Sequence, residues 1–166
     1  MALNQPSTLL AKDTEKLGQP GQLDVIILLV RDHRAVQQAL NDYQRAKDAG
    51  RRHELIKHVM AELKVHEAAE ERAFWPAIRR ELPGGERLAS ARQAEEDEAK
   101  RTIAELEAMD PRERALDGKV QSFIGAVLNH ASHEEREVFL PARETLSVDR
   151  LMALGRELEQ AKKKKR

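Results

Sequence analysis

The chain has 166 residues, enough for one domain with a substantial core but too few for two. Charged residues make up 35% and aromatic residues 3%, a balance that favours long solvated helices over a β-sandwich or barrel. The number of basic residues, Lys plus Arg, equals the number of acidic residues, Asp plus Glu, at 29 each, so the chain has no net positive charge to attract nucleic acid. It contains no cysteine, which excludes disulfides, thiolate metal sites and cysteine nucleophiles.

The start of the chain is poor in regular patterns. Pro6, Gly18, Pro20 and Gly21 fall within residues 1–22, and no charged segment followed by an apolar run is present there. We therefore predict an N-terminal arm over residues 1–22. The longest apolar stretch, residues 25–30, is too short to cross a bilayer, so we predict a cytoplasmic protein with no membrane partner.

Apolar residues at helical spacing then predict four long helices. The first runs from about residue 23 and closes at residues 48–50, with Gly50 in the usual stop position. The others cover about residues 55–82, 88–109 and 120–141. Pro76 and Pro141 fall in or near the last turns of the second and fourth helices, so each is expected to kink or end its helix.

Short turns between four long helices favour an all-α fold, an antiparallel up-down four-helix bundle. We assign the bundle to residues 23–146. A short C-terminal helix, at about 149–161, and a basic tail make up residues 147–166. The basic run over residues 162–166 is typical of a solvated helix end, and we assign it no function.

Two helices carry a His and a Glu four residues apart on the stripe that faces inward. His66 and Glu70 lie on the apolar stripe of the second helix, and His130 and Glu134 lie on that of the fourth. His33 adds an inward imidazole from the first helix. Burying ionised carboxylates costs several kcal/mol or more unless they are paired or bound to metal. The set predicts a metal site built from His and carboxylate.

The alternative is a core in which arginines neutralise the inward acids. A single inward His is more often a hydrogen-bonded core residue than a ligand, and a single His–Glu pair at this spacing is commonly a surface ion pair. The joint pattern favours metal, because it recurs on separate helices. Four arginines are near enough in sequence to serve the alternative: Arg31, Arg34, Arg72 and Arg136.

These segments resemble the hemerythrin-like family, whose domain is known as the HHE cation-binding domain. The resemblance covers about residues 24–143 and rests on Asp32-His33 in the first helix and on the His-x-x-x-Glu-Glu segments that begin at His66 and His130. It implies a four-helix bundle with a non-haem di-iron centre bridged by two carboxylates.

Carried over residue by residue, the resemblance implies three imidazole and three carboxylate ligands: His33, His66, Glu70, Glu96, His130 and Glu134. Of these, Glu70 and Glu134 would bridge the two metals. Many members have a Glu-His pair in the third helix, where this sequence has Glu95-Glu96 and no His. We assign Glu96 to the ligand position, although helical spacing alone does not separate it from Glu95.

A carboxylate in place of an imidazole changes the expected chemistry. It adds a negative charge and a harder oxygen donor, which favours ferric iron or admits manganese and makes reversible oxygen carriage a poorer match. A mononuclear or zinc site is the alternative if Glu96 turns away. The resemblance implies a centre that reacts with or senses oxygen, peroxide or nitric oxide. No substrate-binding motif accompanies it, so enzyme status and oligomeric state stay open.

Two other functions compete with this one. The first is an iron store or sensor without turnover, and the second is a metal-free helical interaction module. Three carboxylates next to the predicted ligands are candidates to orient the imidazoles, although exposure to solvent is the commoner fate of such residues: Asp32, Glu71 and Glu135. His133 falls off the main stripe, which indicates a surface or supporting position, and we expect His53 and His58 at the surface.

Overall fold

The computed structural model describes residues 23–110 and 113–164, and every regular element in these ranges is helical. In chain order they are α1 (Val25–Arg45), α2 (Ala49–Ala69), the π-helical turn π1 (Glu70–Phe74), α3 (Trp75–Glu81), α4 (Gly85–Ala108), α5 (Ala115–Glu134), the π-helical turn π2 (Glu135–Phe139), α6 (Leu140–Thr145) and α7 (Val148–Lys163). The all-α class is confirmed. The predicted arm, residues 1–22, lies outside the described residues. None of the helices described here is both long and apolar enough to span a membrane.

Aspartate side chains fix where the first two helices begin. Asp24 caps α1, and Asp48 caps α2 by accepting a hydrogen bond of 2.7 Å from the backbone N–H of Arg51. Because Asp48 starts a new helix, α1 ends earlier, at Arg45. The prediction that Gly50 stops the first helix is therefore wrong, since Gly50 lies in the first turn of α2.

Neither Pro76 nor Pro141 ends the helical segment in which it lies. Pro76 and Pro141 lie in the first turns of α3 and α6, which are seven and six residues long. The predicted interruption takes the form of π1 and π2, one immediately before each of these short helices. A π-turn replaces i→i+4 by i→i+5 hydrogen bonds, so the missing N–H of proline falls where the bonding pattern has already changed.

The core consists of two apolar clusters with polar residues between them. The first cluster includes Val30 and Ala89, and the second includes Val36 and Ile103. Along α1 the chain passes from the first cluster to the second between Val30 and Val36, and along α4 it does so between Ala89 and Ile103. His33 and Glu96 fall in these intervals. The metal-site residues therefore occupy a layer between two apolar packing regions.

The C-terminal helix belongs to the first apolar cluster. α7 is longer than predicted, and Leu151, Leu154 and Leu158 are buried against residues of α1 and π1. Burial of a leucine side chain stabilises a fold by about 1.5–3 kcal/mol, so these three contacts hold α7 firmly on the bundle. This packing brings the last turn of α7 near the middle of α1.

Gly155 allows α7 to approach the start of α1. A Cβ atom at this position would lie 2.2 Å from the carbonyl oxygen of Leu23 and 3.2 Å from the backbone nitrogen of Val25. Gly155→Ala is expected to lower the free energy of unfolding by about 1–3 kcal/mol, because backbone rather than a flexible side chain must move. Urea unfolding measures the change.

Gly125→Ala is the matched control for this prediction. Gly125 is exposed on α5, and no atom of the described residues lies within 4 Å of an added Cβ. This substitution is expected to raise the free energy of unfolding by up to about 1 kcal/mol, as alanine favours the helix. Equal effects at the two glycines would contradict the close approach of α7.

Candidate metal centre

The six predicted ligands converge between the two apolar clusters. All except His130 are buried, and the side chain of His130 is only 13% exposed. Their donor atoms form two groups, each with all its atoms within 4.8 Å of one another. The first group is His33, His66 and Glu134, and the second is Glu70, Glu96, His130 and Glu134.

Two glutamates connect the two groups. The Oε2 atom of Glu134 lies 3.1 Å from Nε2 of His33, and its Oε1 atom lies 3.3 Å from Nε2 of His130. Glu70 belongs to the second group, and its Oε2 atom lies 3.2 Å from Nε2 of His66 in the first. Both carboxylates therefore occupy positions suited to bridging two cations.

The π-turns lie at these same glutamates. π1 begins at Glu70, and π2 begins at the residue after Glu134. The backbone N–H of Glu70 donates to the carbonyl oxygens of His66 and Glu67, as expected where the hydrogen-bond register of a helix changes. π-turns inside α-helices occur frequently at functional sites, and here one marks each of the two helices that carry a His–Glu pair.

Each imidazole is held by a carboxylate at Nδ1. The Nδ1 contacts are 3.1 Å from His33 to Glu135, 3.0 Å from His66 to Asp32 and 3.0 Å from His130 to Glu95. A ring that donates its proton at Nδ1 keeps Nε2 as a free lone pair, the form that binds metal. All three Nε2 atoms are buried and make no hydrogen bond to any described residue.

The comparisons with known proteins agree with this arrangement. The family model described as the hemerythrin HHE cation binding domain matches residues 24–140. The chain belongs to the hemerythrin family. A crystal structure of a hemerythrin HHE cation binding domain-containing protein from Mycobacterium kansasii has the same fold, with a TM-score of 0.74 and 19% identity over 86% of this chain and 87% of that one.

One relative of this chain has a name that refers to DNA and not to a bound cation. A protein named DNA nickase, from a Nostoc species, is 26% identical over 133 residues. The aligned part covers 80% of this chain but only 37% of the relative. This hemerythrin chain therefore spans about a third of the relative's length.

Helix α4 of this hemerythrin domain places two adjacent glutamates differently. Glu96 is fully buried in the second donor group, and Glu95 is about one-third exposed, so the structure separates the two as spacing could not. Glu95 accepts from Nδ1 of His130 and, at 3.1 Å, from Nδ1 of His133. The supporting position predicted for His133 is confirmed, whereas the role of Glu95 was missed.

Two of the three predicted orienting carboxylates contact an imidazole. Asp32 and Glu135 do so, and Glu135 is itself held by two hydrogen bonds of 3.1 Å from Arg34. Glu71 does not, because it forms an ion pair with Lys100 at the surface. Of the two fates open to it, Glu71 therefore takes the commoner one, an exposed carboxylate: one residue beyond Glu70, it lies at the surface.

Trp75 contacts a predicted ligand, and the sequence reasoning missed this contact. Its Nε1–H donates a hydrogen bond of 2.6 Å to Oε1 of Glu96, and both side chains are buried. The other oxygen of Glu96, Oε2, makes no hydrogen bond to any described residue. Trp75 thus holds one oxygen of Glu96 and leaves the other as a donor. The signal available in the sequence was its position directly before Pro76, one turn beyond Glu70 and Glu71.

Burial and crowding of carboxylates shift the protonation of the centre. Burial, with Glu134 and Glu96 nearby, raises the pKa of Glu70 well above its ordinary value. Burial and the charge of Glu134 raise the pKa of Glu96 to about 8, although the hydrogen bond from Trp75 opposes this. Burial raises the pKa of Glu67, a further buried acid that was not predicted, to about 7, although the charges of Lys100 and His130 oppose this. A cation bound here would replace these protons.

Glu134 and His130 form the ionised pair of the centre. Burial opposes charge on both, but Glu134, with help from Glu95, raises the pKa of His130 to about 10. Burial would also raise the pKa of Glu134, yet His130 and His33 hold it well below its ordinary value. The shared carboxylate is therefore ionised in the metal-free chain, and a cation bound there would displace the second imidazole proton of His130 and so free its Nε2.

The arginine alternative fits these contacts poorly. Of the four arginines that it named, Arg34 reaches the site, but its partner is Glu135 rather than a predicted ligand. Both oxygens of Glu70 and of Glu134 make no hydrogen bond within the described residues, where no Lys or Arg pairs with them. The donor set therefore fits a metal cation better than a guanidinium network.

Proposed function

We propose that this hemerythrin domain, built as an antiparallel up-down four-helix bundle, holds a non-haem di-iron centre that reacts with or senses oxygen, peroxide or nitric oxide. The proposed ligands are the six convergent side chains: His33, His66, Glu70, Glu96, His130 and Glu134. The observation that carries the proposal is the set of buried donor atoms without hydrogen-bond partners, aimed at a common region from four helices.

The donor set supports iron over other metals. Three imidazole nitrogens and three carboxylates without thiolate suit iron, and less closely zinc or manganese, which are the alternatives. Two ions are supported by the two donor groups with one shared carboxylate. Di-iron proteins with helical bundles use the same arrangement of inward Glu and His side chains.

The protein surroundings serve reactivity by excluding water and fixing the ligands. His33 stacks on Phe139 with ring centroids 5.5 Å apart, and Phe139 packs edge-on against Phe74. Bound iron would supply electrons and an open coordination position for a small oxygen- or nitrogen-containing ligand. The carboxylate of Glu96 supports an oxidised resting state, which suits reaction or sensing better than reversible carriage.

The activity named for the Nostoc relative is not extended to this chain. A DNA nickase acts on a polyanion, and the net charge of zero here supplies no excess of basic side chains for it. The proposed partners are small diatomic or peroxide ligands.

Elemental analysis of freshly purified protein tests the proposal. We expect about two iron ions per chain. His66→Ala and Glu70→Ala should reduce the metal content to about one ion or fewer, because each removes a buried donor: His66 from the first group, and Glu70 from the second group beside it. His53→Ala is the matched control, since His53 is exposed on the same helix α2. Unchanged metal content in both site variants would contradict the assignment.

Mixing the reduced protein with ligand separates the remaining alternatives. Under anaerobic conditions, peroxide is added in excess and consumed peroxide is counted per chain. Repeated turnovers indicate an enzyme, and a single stoichiometric reaction indicates a sensor or store. The metal-free interaction module is contradicted if iron co-purifies with the folded chain.

A further inference from the structure

A small pocket at the surface leads to His66. Its volume is about 220 Å³, smaller than the roughly 300–1,000 Å³ typical of sites for organic molecules. It lies between α1, α2 and the last turn of α7, and its walls include Val36 and Val59. Its polar lining consists of Asp32, His58, Glu62, His66 and Lys162. The pocket has the size and the donor atoms for a hydrated ion.

Side chains of the types that bind metals follow one another at intervals of four residues along α2 and into the start of π1. They are His58, Glu62, His66 and Glu70. Each interval advances about 6 Å along the helix and turns about 40° beyond a full turn, so the line winds around the helix. It passes from exposed His58 through half-buried Glu62 to buried His66 and Glu70. The line therefore connects the surface with the proposed centre in short steps.

We infer that this pocket is the entry route for the metal ion, with His58 and Glu62 as transient ligands that pass a divalent cation to His66 and Glu70. The inference rests on the proposed function. A buried centre must be loaded either along a route of ligands or by opening of the bundle. Since the ion must exchange its water ligands for protein ligands, donors spaced by about one helical turn lower the barrier between surface and centre.

Lys162 is placed to oppose entry. Its Nζ atom forms an ion pair with Oδ2 of Asp32, and the same oxygen accepts from Nδ1 of His66 at 3.0 Å. The ammonium group therefore stands at the pocket beside the first buried ligand and repels an arriving cation. It also neutralises Asp32 until a cation arrives. Removing its charge should speed loading, the opposite of removing His58 or Glu62.

The test is the rate of Co²⁺ uptake by the metal-free full-length chain, followed by the visible absorption of bound Co²⁺. His58→Ala and Glu62→Gln are expected to slow uptake by about tenfold, and Lys162→Gln to speed it by a similar factor, as charges lining a cleft change ion association rates by this order. The final stoichiometry should equal that of the unmodified chain, because none of the three is a proposed ligand of the centre.

Matched controls lie on the same helix. His53 and Glu54 are exposed near the start of α2 and do not line this pocket, so His53→Ala and Glu54→Gln should load at the unmodified rate. His133→Ala probes a rival entry near Glu95, where the imidazole is about one-third exposed.

Three results would overturn the route. The first is Co²⁺ uptake at the unmodified rate in all variants, and the second is slower uptake in His133→Ala alone. The third is a set of uptake rates that follow the thermal stability of each variant, which would indicate that the ion enters when the bundle opens. If the unmodified chain takes up no Co²⁺ or Fe²⁺ at all, the proposed function itself fails, and the route fails with it. Normal uptake of both ions with unaffected variants leaves the proposed function standing and removes the route alone.

Discussion

Glu134→Gln is expected to empty both halves of the centre, lowering the metal content from about two ions to fewer than one per chain. Its two oxygens lie 3.1 Å and 3.3 Å from Nε2 of His33 and His130, and it is the one residue common to both donor groups among the described residues. An amide keeps the shape but offers a single neutral oxygen, so it cannot bridge two cations. The loss of affinity should exceed about 100-fold.

The same substitution should also destabilise the metal-free protein. Glu134 is the principal negative partner of His130, whose pKa it raises. Removing one member of a buried ion pair typically costs about 3–5 kcal/mol, less here because His130 is partly exposed and can release its proton. We expect a loss of about 1–3 kcal/mol in the free energy of unfolding, measured by urea unfolding in chelator.

Glu70→Gln should weaken metal binding without lowering the stability of the metal-free chain. It therefore distinguishes the loss of a ligand from a general effect on folding. Burial and neighbouring acids raise the pKa of Glu70 and so favour its protonated form in the metal-free chain, which glutamine closely matches. Metal-free stability should stay within about 1 kcal/mol, whereas the gain in Tm on adding Fe²⁺ or Zn²⁺ should be lost. Glu71→Gln, at an exposed carboxylate one residue away, should retain both properties.

Full metal content in Glu134→Gln would show that the shared carboxylate is not a ligand. A drop in metal-free stability of Glu70→Gln equal to that of Glu134→Gln would contradict the protonation difference between the two acids. Elemental analysis reads the first outcome, and urea unfolding of the two metal-free variants reads the second.

Helical periodicity was sufficient to predict the all-α class and the inward direction of the site residues. His33, His66 and His130 lie on stripes with a period near 3.6 residues, and burial of those stripes leaves few orientations for each ring. Glu70 and Glu134 follow their histidines by one turn, so the same argument directs them inward. These side chains converge because their spacing places them on one face of each helix, and the helices pack through those faces. The pattern of apolar residues in the sequence indicates both.

Features that depend on contacts distant in sequence were not predictable. The π-turns change the helical register around Glu70 and Glu134, and the approach of Lys162 to Asp32 depends on how α7 docks. Glu95 and Glu96 differ by only about 100° around the helix, so small rotations of α4 decide which one faces the centre. A pattern of apolar residues does not resolve rotations of that size.

Glu96→His is expected to raise the reduction potential of the bound iron centre. The substitution replaces a carboxylate by a neutral donor. Removing one negative charge about 4 Å away, at an effective dielectric constant of about 20, is worth about 4 kcal/mol, equivalent to roughly 170 mV for one electron. The ferrous state should become more stable relative to the ferric state, because the negative charge that stabilised ferric iron has been removed.

Two companion variants separate charge from geometry. Glu96→Gln also removes the charge but keeps an oxygen for the Nε1–H of Trp75, so its potential should rise as well. Trp75→Phe should act in the opposite direction, because an unopposed Glu96 carboxylate donates more strongly to the metal and favours the ferric state. Potentiometric titration followed by optical absorption gives all three values.

The signs of these shifts decide whether Glu96 binds the metal. A carboxylate that only filled space beside Trp75 would change metal retention or folding when replaced, but it would not move the potential upward in two variants and downward in the third. An unchanged potential in Glu96→His would place the helix α4 carboxylate outside the coordination of iron, and the centre would then be held by five ligands from the other helices, with the bridging role of Glu134 unaffected.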